Sequence, residues 1–323
     1  MSGDMPHTLA EAVKRGERRA IAKAITLVES TRREDAISAE HLLAEIHSAT
    51  GRALRLGVSG VPGAGKSTLI DALGREAIGA GHRVGVLTID PSSRVSGGSL
   101  LGDRTRMGRL AQAEQAFVRP SPSSGASGGL GRRTREASLV LEAAGYDLII
   151  IETVGTGQAE IAISELSDLV LLVLLTGAGD DVQTMKRGIL EHADVIAFNK
   201  ADGDNLGAAQ AARDQTSSAL SWLRRDAPPV FALSALNDAG ITELFQAIVA
   251  RFARVSADGS LERLRRAQRL IWLEQALTSA LLERFAAASN PVLREQLTDA
   301  VGRGELLPPL AARQLLQMSP PDS

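Results

Sequence analysis

An eight-residue motif constrains the fold of this chain more than any other feature of its sequence. Residues 60–67 read Gly-Val-Pro-Gly-Ala-Gly-Lys-Ser and fit the pattern G-x-x-x-x-G-K-[ST]. In this pattern, glycines let consecutive backbone N–H groups surround phosphate oxygens. The apolar run at 54–59 predicts a buried strand before the motif, and residues 68–80 predict a helix after it. The sequence therefore predicts a strand–loop–helix unit that binds phosphate groups.

Each position of the motif has a chemical role in such a loop. Lys66 is expected to bridge the β- and γ-phosphates, and the hydroxyl of Ser67 is expected to hold Mg²⁺. The candidate phosphate-binding residues are Gly60, Gly63, Ala64, Gly65, Lys66, Ser67 and Thr68.

A second motif predicts which base is bound. Residues 199–202 read Asn-Lys-Ala-Asp and directly follow the short apolar run at 195–198. The carboxylate of Asp202 can accept hydrogen bonds from the guanine N1 and N2 donors, whereas adenine offers no such pair and would leave a buried carboxylate without partners. With Asn199 and Lys200 beside it, Asp202 predicts a site for GTP.

The remaining pattern predicts an α/β fold. Continuous apolar runs of strand type alternate with helical stretches between residues 54 and 253, as expected for a mostly parallel sheet covered by helices on both faces. We therefore expect a P-loop nucleoside triphosphatase fold with helical extensions. The expected divisions are an N-terminal helical extension (1–50), a nucleotide domain (51–255) and a C-terminal helical dimerisation region (256–323). The Ser/Gly-rich stretch at 121–133 is either a loop or an anion-binding turn, and we favour the loop.

Composition excludes several classes of function. The net charge of −2 and the 3% of aromatic residues provide neither a basic surface nor stacking platforms, so nucleic acid is not an expected partner. The chain has no cysteine, and its five histidines lack the spacing of metal ligands. Because no apolar run is long enough to cross a bilayer, we expect no membrane partner and a soluble, cytoplasmic protein.

The C-terminal region carries a stripe of leucines. From Ser260 onwards, leucines recur on one face of a predicted long helix, and a face this apolar must be covered. It can pack on the nucleotide domain or on a second copy of the chain, and we favour a homodimer. The leucines are Leu261, Leu264, Leu270, Leu273, Leu277 and Leu281.

Two further strands end in acidic residues. The apolar run at 148–151 leads to Glu152, whose carboxylate can reach Mg²⁺ or its waters, and to Gly155, whose N–H can contact the γ-phosphate. The run at 84–89 leads to Asp90, for which we expect a role at Mg²⁺ or at the attacking water. The candidate catalytic residues are Lys66, Asp90, Glu152 and Gly155.

Taken in order, the motifs resemble those of a known family. The strings are G-V-P-G-A-G-K-S, I-D-P-S-S, G-D-R-T-R-M, E-T-V-G-T-G-Q and N-K-A-D, and together they are similar to the MeaB/ArgK family of P-loop GTPases. The resemblance implies a homodimeric GTPase that binds adenosylcobalamin-dependent methylmalonyl-CoA mutase. Such a protein gates the loading of intact cofactor and helps to expel damaged cobalamin, with no cobalamin expected on this chain alone.

The resemblance also assigns residues. It implies that four side chains surround the metal: Ser67, Asp90, Asp103 and Glu152. It identifies residues 102–107 and 152–158 with the first two switch segments. A third switch, at 177–186, would relay the nucleotide state to the mutase through Asp180, Gln183 and Lys186. The loop that contacts guanine O6 through backbone N–H groups would be Ser234, Ala235 and Leu236.

Hydrolysis in such a site is attack of water on the γ-phosphate. No glutamine directly follows Gly155, and the nearest is Gln158. We therefore expect slow intrinsic turnover that rises when the mutase is present. Two alternatives stay open: a small-molecule kinase or transport-linked ATPase, which would share the phosphate loop, and a nickel or zinc metallochaperone GTPase, which would share nearly every nucleotide motif.

Overall fold

The computed structural model describes residues 5–90, 107–122, 127–153, 159–176, 192–223 and 226–318. They divide into two compact units, Met1–Gln268 and Arg269–Ser323. No helix among the described residues is long and apolar enough to cross a membrane.

The first unit contains a seven-stranded sheet. Its strands are β1 (Leu54–Gly60), β2 (Val84–Asp90), β3 (Ala116–Pro122), β4 (Leu148–Thr153), β5 (Leu169–Leu174), β6 (Val195–Phe198) and β7 (Val230–Ala232). The order across the sheet is β3-β2-β4-β1-β5-β6-β7, and every neighbouring pair is parallel. The expected α/β fold with a parallel sheet is confirmed.

Helices flank the sheet and continue beyond it. In chain order they are α1 (Met5–Lys14), α2 (Arg18–Glu29), α3 (Arg33–Ile46), α4 (Lys66–Gly79), α5 (Gly108–Gln112), α6 (Ser127–Ala143), α7 (Ala159–Leu166), α8 (Leu206–Leu223), α9 (Ile241–Ala257), α10 (Ser260–Ala288), α11 (Pro291–Gly302) and α12 (Pro308–Met318). Helix α10 begins in the first unit and continues into the second.

Alternation along the strands builds a core on each face of the sheet. In β4, Leu148 and Ile150 are buried with apolar residues of α4 and α9. Ile149 and Ile151 are buried on the other face, with residues of α1, α2, α3 and α6. Because successive side chains of a strand point to opposite faces, a strand buried on both faces is apolar throughout, which is the pattern seen in the sequence.

The Ser/Gly-rich stretch is not a loop throughout. Residues 121–122 end β3 and α6 begins at Ser127, so the prediction of a loop is wrong for residues 127–133; residues 123–126 lie outside the described residues. Further along α6, Ala137, Val140 and Leu141 are fully buried. Packing of this apolar face outweighs the low helix propensity of the glycines near the start of the helix.

The start of α10 is attached to the amino ends of β1 and β5. Asp168, one residue before β5, has a fully buried carboxylate. It accepts hydrogen bonds from Arg55 Nη2 at 2.5 Å and from Arg265 Nη2 at 2.6 Å. Arg265 also donates to the carbonyl oxygen of Ala53, and Gln268 donates to that of Ser167. The part of α10 up to Gln268 therefore lies at the amino ends of these strands, whereas the phosphate-binding motif follows the carboxyl end of β1.

The second unit is helical. It contains the rest of α10 followed by α11 and α12, and Asn290 caps α11 by accepting a hydrogen bond from the N–H of Val292. The leucines of α10 at 264, 270, 273, 277 and 281 are all exposed on the single chain.

Candidate nucleotide site

The predicted binding residues collect at the carboxyl edge of the sheet. The phosphate-binding motif joins β1 to α4, Glu152 lies near the end of β4, and Asn199 directly follows β6. Ser234 lies two residues after the end of β7. Ligands of open parallel sheets bind outside the carboxyl ends of the strands, so the topology itself places these residues at a binding site.

Two glycines of the phosphate loop cannot be replaced without strain. Gly60 has φ = 150°, and a Cβ atom there would lie 2.0 Å from the carbonyl oxygen of Val173. Gly65 has φ = 82°, and its Cβ would lie 2.6 Å from Asn199 Nδ2. Only glycine allows this backbone and these close approaches. The loop therefore lies against Val173 of β5 at one end and against Asn199 of the second motif at the other.

Lys66 is the first residue of α4 and its side chain is buried. Its Nζ donates to the carbonyl oxygens of Gly60 at 2.9 Å and Val61 at 3.3 Å, so the ammonium group lies across the loop. The helix start adds unpaired backbone N–H groups and the positive end of the helix dipole. Phosphate oxygens are the ligand that such a combination favours.

Ser67 and Glu152 form a buried pair of oxygen ligands. Ser67 Oγ donates to Glu152 Oε1 at 2.9 Å, and both side chains are buried. A hydroxyl and a carboxylate are hard oxygen ligands, and Mg²⁺ in nucleotide sites is typically held by one or two such groups together with phosphate oxygens and waters. The donor set therefore fits Mg²⁺. Among the described residues, no group of three or more His, Cys, Asp or Glu is placed to hold a metal ion.

The other candidate acidic residues are placed only in part. Asp90 is the last residue of β2, and β2 pairs with β4 so that Thr88 lies opposite Glu152. The backbone of Asp90 is thus at the same sheet edge, but its side chain is outside what the structure describes. Asp103 and Gly155 also lie outside the described residues, as do Gln158 and the third-switch residues Asp180, Gln183 and Lys186.

Asn199 connects the two halves of the site. Its Nδ2 donates to the carbonyl oxygen of Ala64 at 2.8 Å, and its Oδ1 accepts a hydrogen bond from the N–H of Ala235 at 3.0 Å. The side chain is buried. Phosphate loop and base loop are therefore tied to one another through a single amide group.

The predicted base reader is oriented by the loop after β7. Asp202 Oδ2 accepts a short hydrogen bond from Ser234 Oγ, and the N–H of Ala201 donates to the carbonyl oxygen of Leu233. Lys200 adopts a left-handed backbone conformation with φ = 60°. Leu236 is 76% exposed, whereas the neighbouring Ser234 and Ala235 are buried. The structure thus brings together the three residues predicted to contact O6 and the aspartate predicted to read N1 and N2.

A comparison with protein families identifies the chain. The family model described as "Methylmalonyl Co-A mutase-associated GTPase MeaB" matches residues 21–290. The chain belongs to the MeaB family of GTPases. This confirms the resemblance drawn from the motif strings and the expectation of GTPase activity.

Relatives of this MeaB-family GTPase come from bacteria and animals. A probable GTPase of Mycobacterium tuberculosis is 45% identical, over 96% of this chain and 94% of its own length. GTPase ArgK of Escherichia coli is 44% identical, over 95% and 96%. The mouse protein "Methylmalonic aciduria type A homolog, mitochondrial" is 41% identical, over 94% of this chain and 77% of its own length.

A solved structure shares the fold of this MeaB-family GTPase. The crystal structure of a LAO/AO transport system kinase superposes with a TM-score of 0.74 and 35% sequence identity, and covers 98% of each chain. The likeness extends over both compact units of the sequence.

Sequence reasoning missed one group of residues near the base loop. Arg75 of α4 donates from Nη2 to Asp238 Oδ1 at 2.6 Å and from Nε to Asp71 Oδ2 at 3.1 Å. The only sequence signal was the i,i+4 spacing of Asp71 and Arg75, which usually marks a surface pair on a helix. Nothing in the sequence pointed to Asp238.

Proposed function

We propose that this MeaB-family GTPase is a chaperone of methylmalonyl-CoA mutase that uses GTP to gate the loading of adenosylcobalamin and to protect or reactivate the mutase. The observation that carries the proposal is the family match over residues 21–290, whose description names association with that mutase. The name of the mouse relative, which refers to methylmalonic aciduria, supports the same client.

Selectivity for GTP is assigned to Asp202. Ser234 Oγ donates to one carboxylate oxygen of Asp202, which leaves the other oxygen to accept from guanine. In the loop at 234–236, the N–H of Ser234 donates to Ala239 and that of Ala235 donates to Asn199. The N–H of Leu236 would therefore meet guanine O6, where adenine carries an amino group. With adenine bound, the second carboxylate oxygen of Asp202 and the N–H of the loop would both lack a partner. Leaving buried polar groups unpaired is the strongest basis for such discrimination.

The γ-phosphate end would be handled by residues of β1, α4 and β4. Lys66 would neutralise charge on the β- and γ-phosphates in a loose transition state. Ser67 and Glu152 would hold Mg²⁺, together with Asp90 and Asp103. The chemistry supplied by a bound Mg²⁺ is neutralisation of charge on the phosphate oxygens. Gly155 would donate its N–H to the γ-phosphate, so loss of that phosphate would release the segment that follows β4.

Signalling to the mutase is assigned to the switch segments, and dimerisation is assigned to helix α10. Asp180, Gln183 and Lys186 would carry the nucleotide state to the mutase. A second copy of the chain would cover the exposed leucines of α10, giving a homodimer. Cobalamin would be bound by the mutase and not by this chain alone.

The deciding experiment is hydrolysis of GTP and ATP by the purified protein, with and without methylmalonyl-CoA mutase, beside an Asp202→Asn variant. We expect slow GTP-selective turnover that the mutase accelerates, and loss of guanine preference in the variant. Asp204→Asn is the matched control, since this aspartate lies on the same surface turn two residues later.

Each other result redirects the proposal. GTP turnover that is indifferent to the mutase keeps the GTPase and rejects the client. Preference for ATP favours a kinase or transport-linked ATPase. Tight Ni²⁺ or Zn²⁺ binding without nucleotide, measured by calorimetry, favours a metallochaperone.

A further inference from the structure

The base loop is a closed six-residue turn. Ser234 and Ala239 exchange two backbone hydrogen bonds of 3.0 Å each, so the residues between them project as a compact unit. The first half of this turn is held by the second motif, because Ala235 donates to Asn199 and Ser234 donates to Asp202. Within the turn, the N–H of Asn237 also donates to Ser234 Oγ at 3.3 Å, which leaves Asp238 as the residue whose side chain is held from outside the turn.

The second half contains a residue in a costly conformation. Asp238 has φ = 56°, in the left-handed region that non-glycine residues adopt only when other contacts hold them there. Its carboxylate receives both arms of the Arg75 guanidinium, from Nη1 at 3.2 Å and from Nη2 at 2.6 Å. The hydrogen bond and charge of Arg75 lower the pKa of Asp238, which keeps the carboxylate ionised and the pair intact.

Arg75 is itself fixed in place. Its Nε donates to Asp71 Oδ2 at 3.1 Å, and Asp71 Oδ1 accepts the N–H of Leu110 at 2.9 Å. Asp71 is buried. An isolated surface ion pair contributes little to stability. Arg75 differs because its Nε is bound to a buried carboxylate, which restricts the conformations of the side chain, while Nη1 and Nη2 bind Asp238. Arg75 is therefore a rigid support.

Arg75 lies on the helix that also begins the phosphate site. Helix α4 starts at Lys66 and reaches Arg75 two and a half turns later, so one rigid element carries the phosphate ligands and supports the base loop. The distance between the phosphate-binding and base-binding groups is then set by this helix.

We propose that Arg75 is a positioning residue for guanine recognition: by holding Asp238, it fixes the 234–239 turn and with it the N–H of Leu236 at the place that guanine O6 occupies. The inference rests on the proposed assignment of this turn and of Asp202 to the base. In this role Arg75 acts through Asp238 and not on the nucleotide, so its loss should weaken the contact to O6 and leave the contacts to N1, N2 and the phosphates in place.

The test compares GTP with 6-thio-GTP. The analogue keeps the N1 and N2 donors and replaces O6 by sulfur, a larger atom and a weaker hydrogen-bond acceptor, so the ratio of the two dissociation constants reports chiefly the contact at position 6. We expect the wild-type protein to bind GTP about fivefold more tightly than 6-thio-GTP, the effect of one hydrogen bond. In Arg75→Ala, we expect GTP affinity to fall and the ratio to move towards one, because 6-thio-GTP makes only a weak hydrogen bond at position 6 in either protein.

Two variants separate positioning from general damage. Asp238→Asn keeps a side chain that tolerates the left-handed conformation but removes the charge, and should show the same loss of ratio. It also carries the test if Arg75→Ala does not fold. Arg213→Ala, which removes a partly exposed arginine that pairs with its neighbour Asp214 on α8, should leave both dissociation constants unchanged.

The outcomes distinguish this inference from the function on which it rests. A wild-type ratio near one, or equal weakening of GTP and 6-thio-GTP in Arg75→Ala, overturns the positioning role. If Asp202→Asn abolishes the preference for GTP over ATP while Arg75→Ala keeps the wild-type ratio, only the role of Arg75 is rejected. If Asp202→Asn leaves that preference unchanged, the base site itself is wrongly assigned.

Discussion

The side chain of Asn199 donates a hydrogen bond from Nδ2 to the carbonyl oxygen of Ala64, 135 residues earlier in the chain, at 2.8 Å. Its other amide atom accepts the N–H of Ala235. One buried amide therefore links the base loop directly to the phosphate loop. It does so at the place where Gly65 allows close approach, since a Cβ on that glycine would meet Asn199 Nδ2.

Replacement of Asn199 by alanine should separate the two loops. The substitution leaves the carbonyl of Ala64 and the N–H of Ala235 without their partner, and the loss of two such bonds corresponds to about a tenfold or larger drop in GTP affinity. Equilibrium binding of a fluorescent guanine nucleotide measures it. Asn290→Ala is the control: it removes a helix cap from α11 and should lower stability without changing nucleotide affinity. Unchanged binding by Asn199→Ala would show that the loops are held by other contacts.

Replacement of Ser67 by alanine should weaken the binding of Mg²⁺ more than the binding of nucleotide. The hydroxyl that donates to Glu152 is lost, and with it one proposed metal ligand. We expect the Mg²⁺ concentration for half-maximal GTP hydrolysis to rise about tenfold or more, the range that loss of a ligand-supporting group produces at metal sites. Ser138→Ala, at a buried serine whose hydroxyl donates to the backbone carbonyl of Arg135, is the matched control. An unchanged Mg²⁺ requirement in Ser67→Ala would reject Ser67 as a ligand.

The features that could be predicted from the sequence have local physical causes. At Gly60 and Gly65 the backbone conformation and the close contacts exclude any residue with a Cβ atom. The phosphate loop therefore has a fixed glycine pattern that can be recognised in the sequence. The strands appear as apolar runs because both faces of the sheet are covered. Asn199 and Asp202 were found because the base reader is a contiguous string at the end of a strand.

The features that could not be predicted depend on contacts between distant segments. Arg75 and Asp238 are 163 residues apart, and neither lies in a motif. The start of α6 at Ser127 follows from burial further along the helix, which glycines and serines near its start conceal. Asp168 and Arg265, which attach α10 to the sheet, are 97 residues apart. In the sequence, each has the pattern of an ordinary solvent-exposed charge.

Replacement of Asp168 by asparagine should be strongly destabilising. The carboxylate is fully buried and pairs with Arg55 and Arg265, whose side chains are nearly buried, so its removal leaves two arginines without their counter-charge. Breaking a buried pair by removing one partner typically costs about 3–5 kcal/mol. Urea unfolding measures the loss. Asp214→Asn, at an exposed pair, should change the free energy of unfolding by less than about 0.5 kcal/mol, and a comparably small effect of Asp168→Asn would contradict the prediction.

The effect of Asp168→Asn should also depend on pH. Burial raises the pKa of Asp168, but hydrogen bonds from Arg265 and the charge of Arg55 outweigh burial and hold the pKa below its ordinary value. A carboxylate of this kind contributes stability that is present above its unfolded pKa and is lost as pH falls towards its folded pKa. The difference in unfolding free energy between wild type and variant should therefore be constant above about pH 5 and shrink below about pH 4. Burial raises the pKa of Glu142, and the charge of Asp168 raises it slightly further, so Glu142 titrates in both proteins with a slightly lower pKa in the variant.

Replacement of Leu277 by glutamate should dissociate the proposed homodimer. Leu273, Leu277 and Leu281 lie one turn apart on α10 and are each more than half exposed on the single chain, so a charge in this stripe would be buried at a dimer interface without a partner. Light scattering after size exclusion should give twice the chain mass for the wild type and a single chain mass for Leu277→Glu. Leu223→Glu, at an exposed leucine that ends α8, should keep the wild-type mass. A wild-type protein of single chain mass would reject the dimer, whereas a variant that stays dimeric would place the interface on another face.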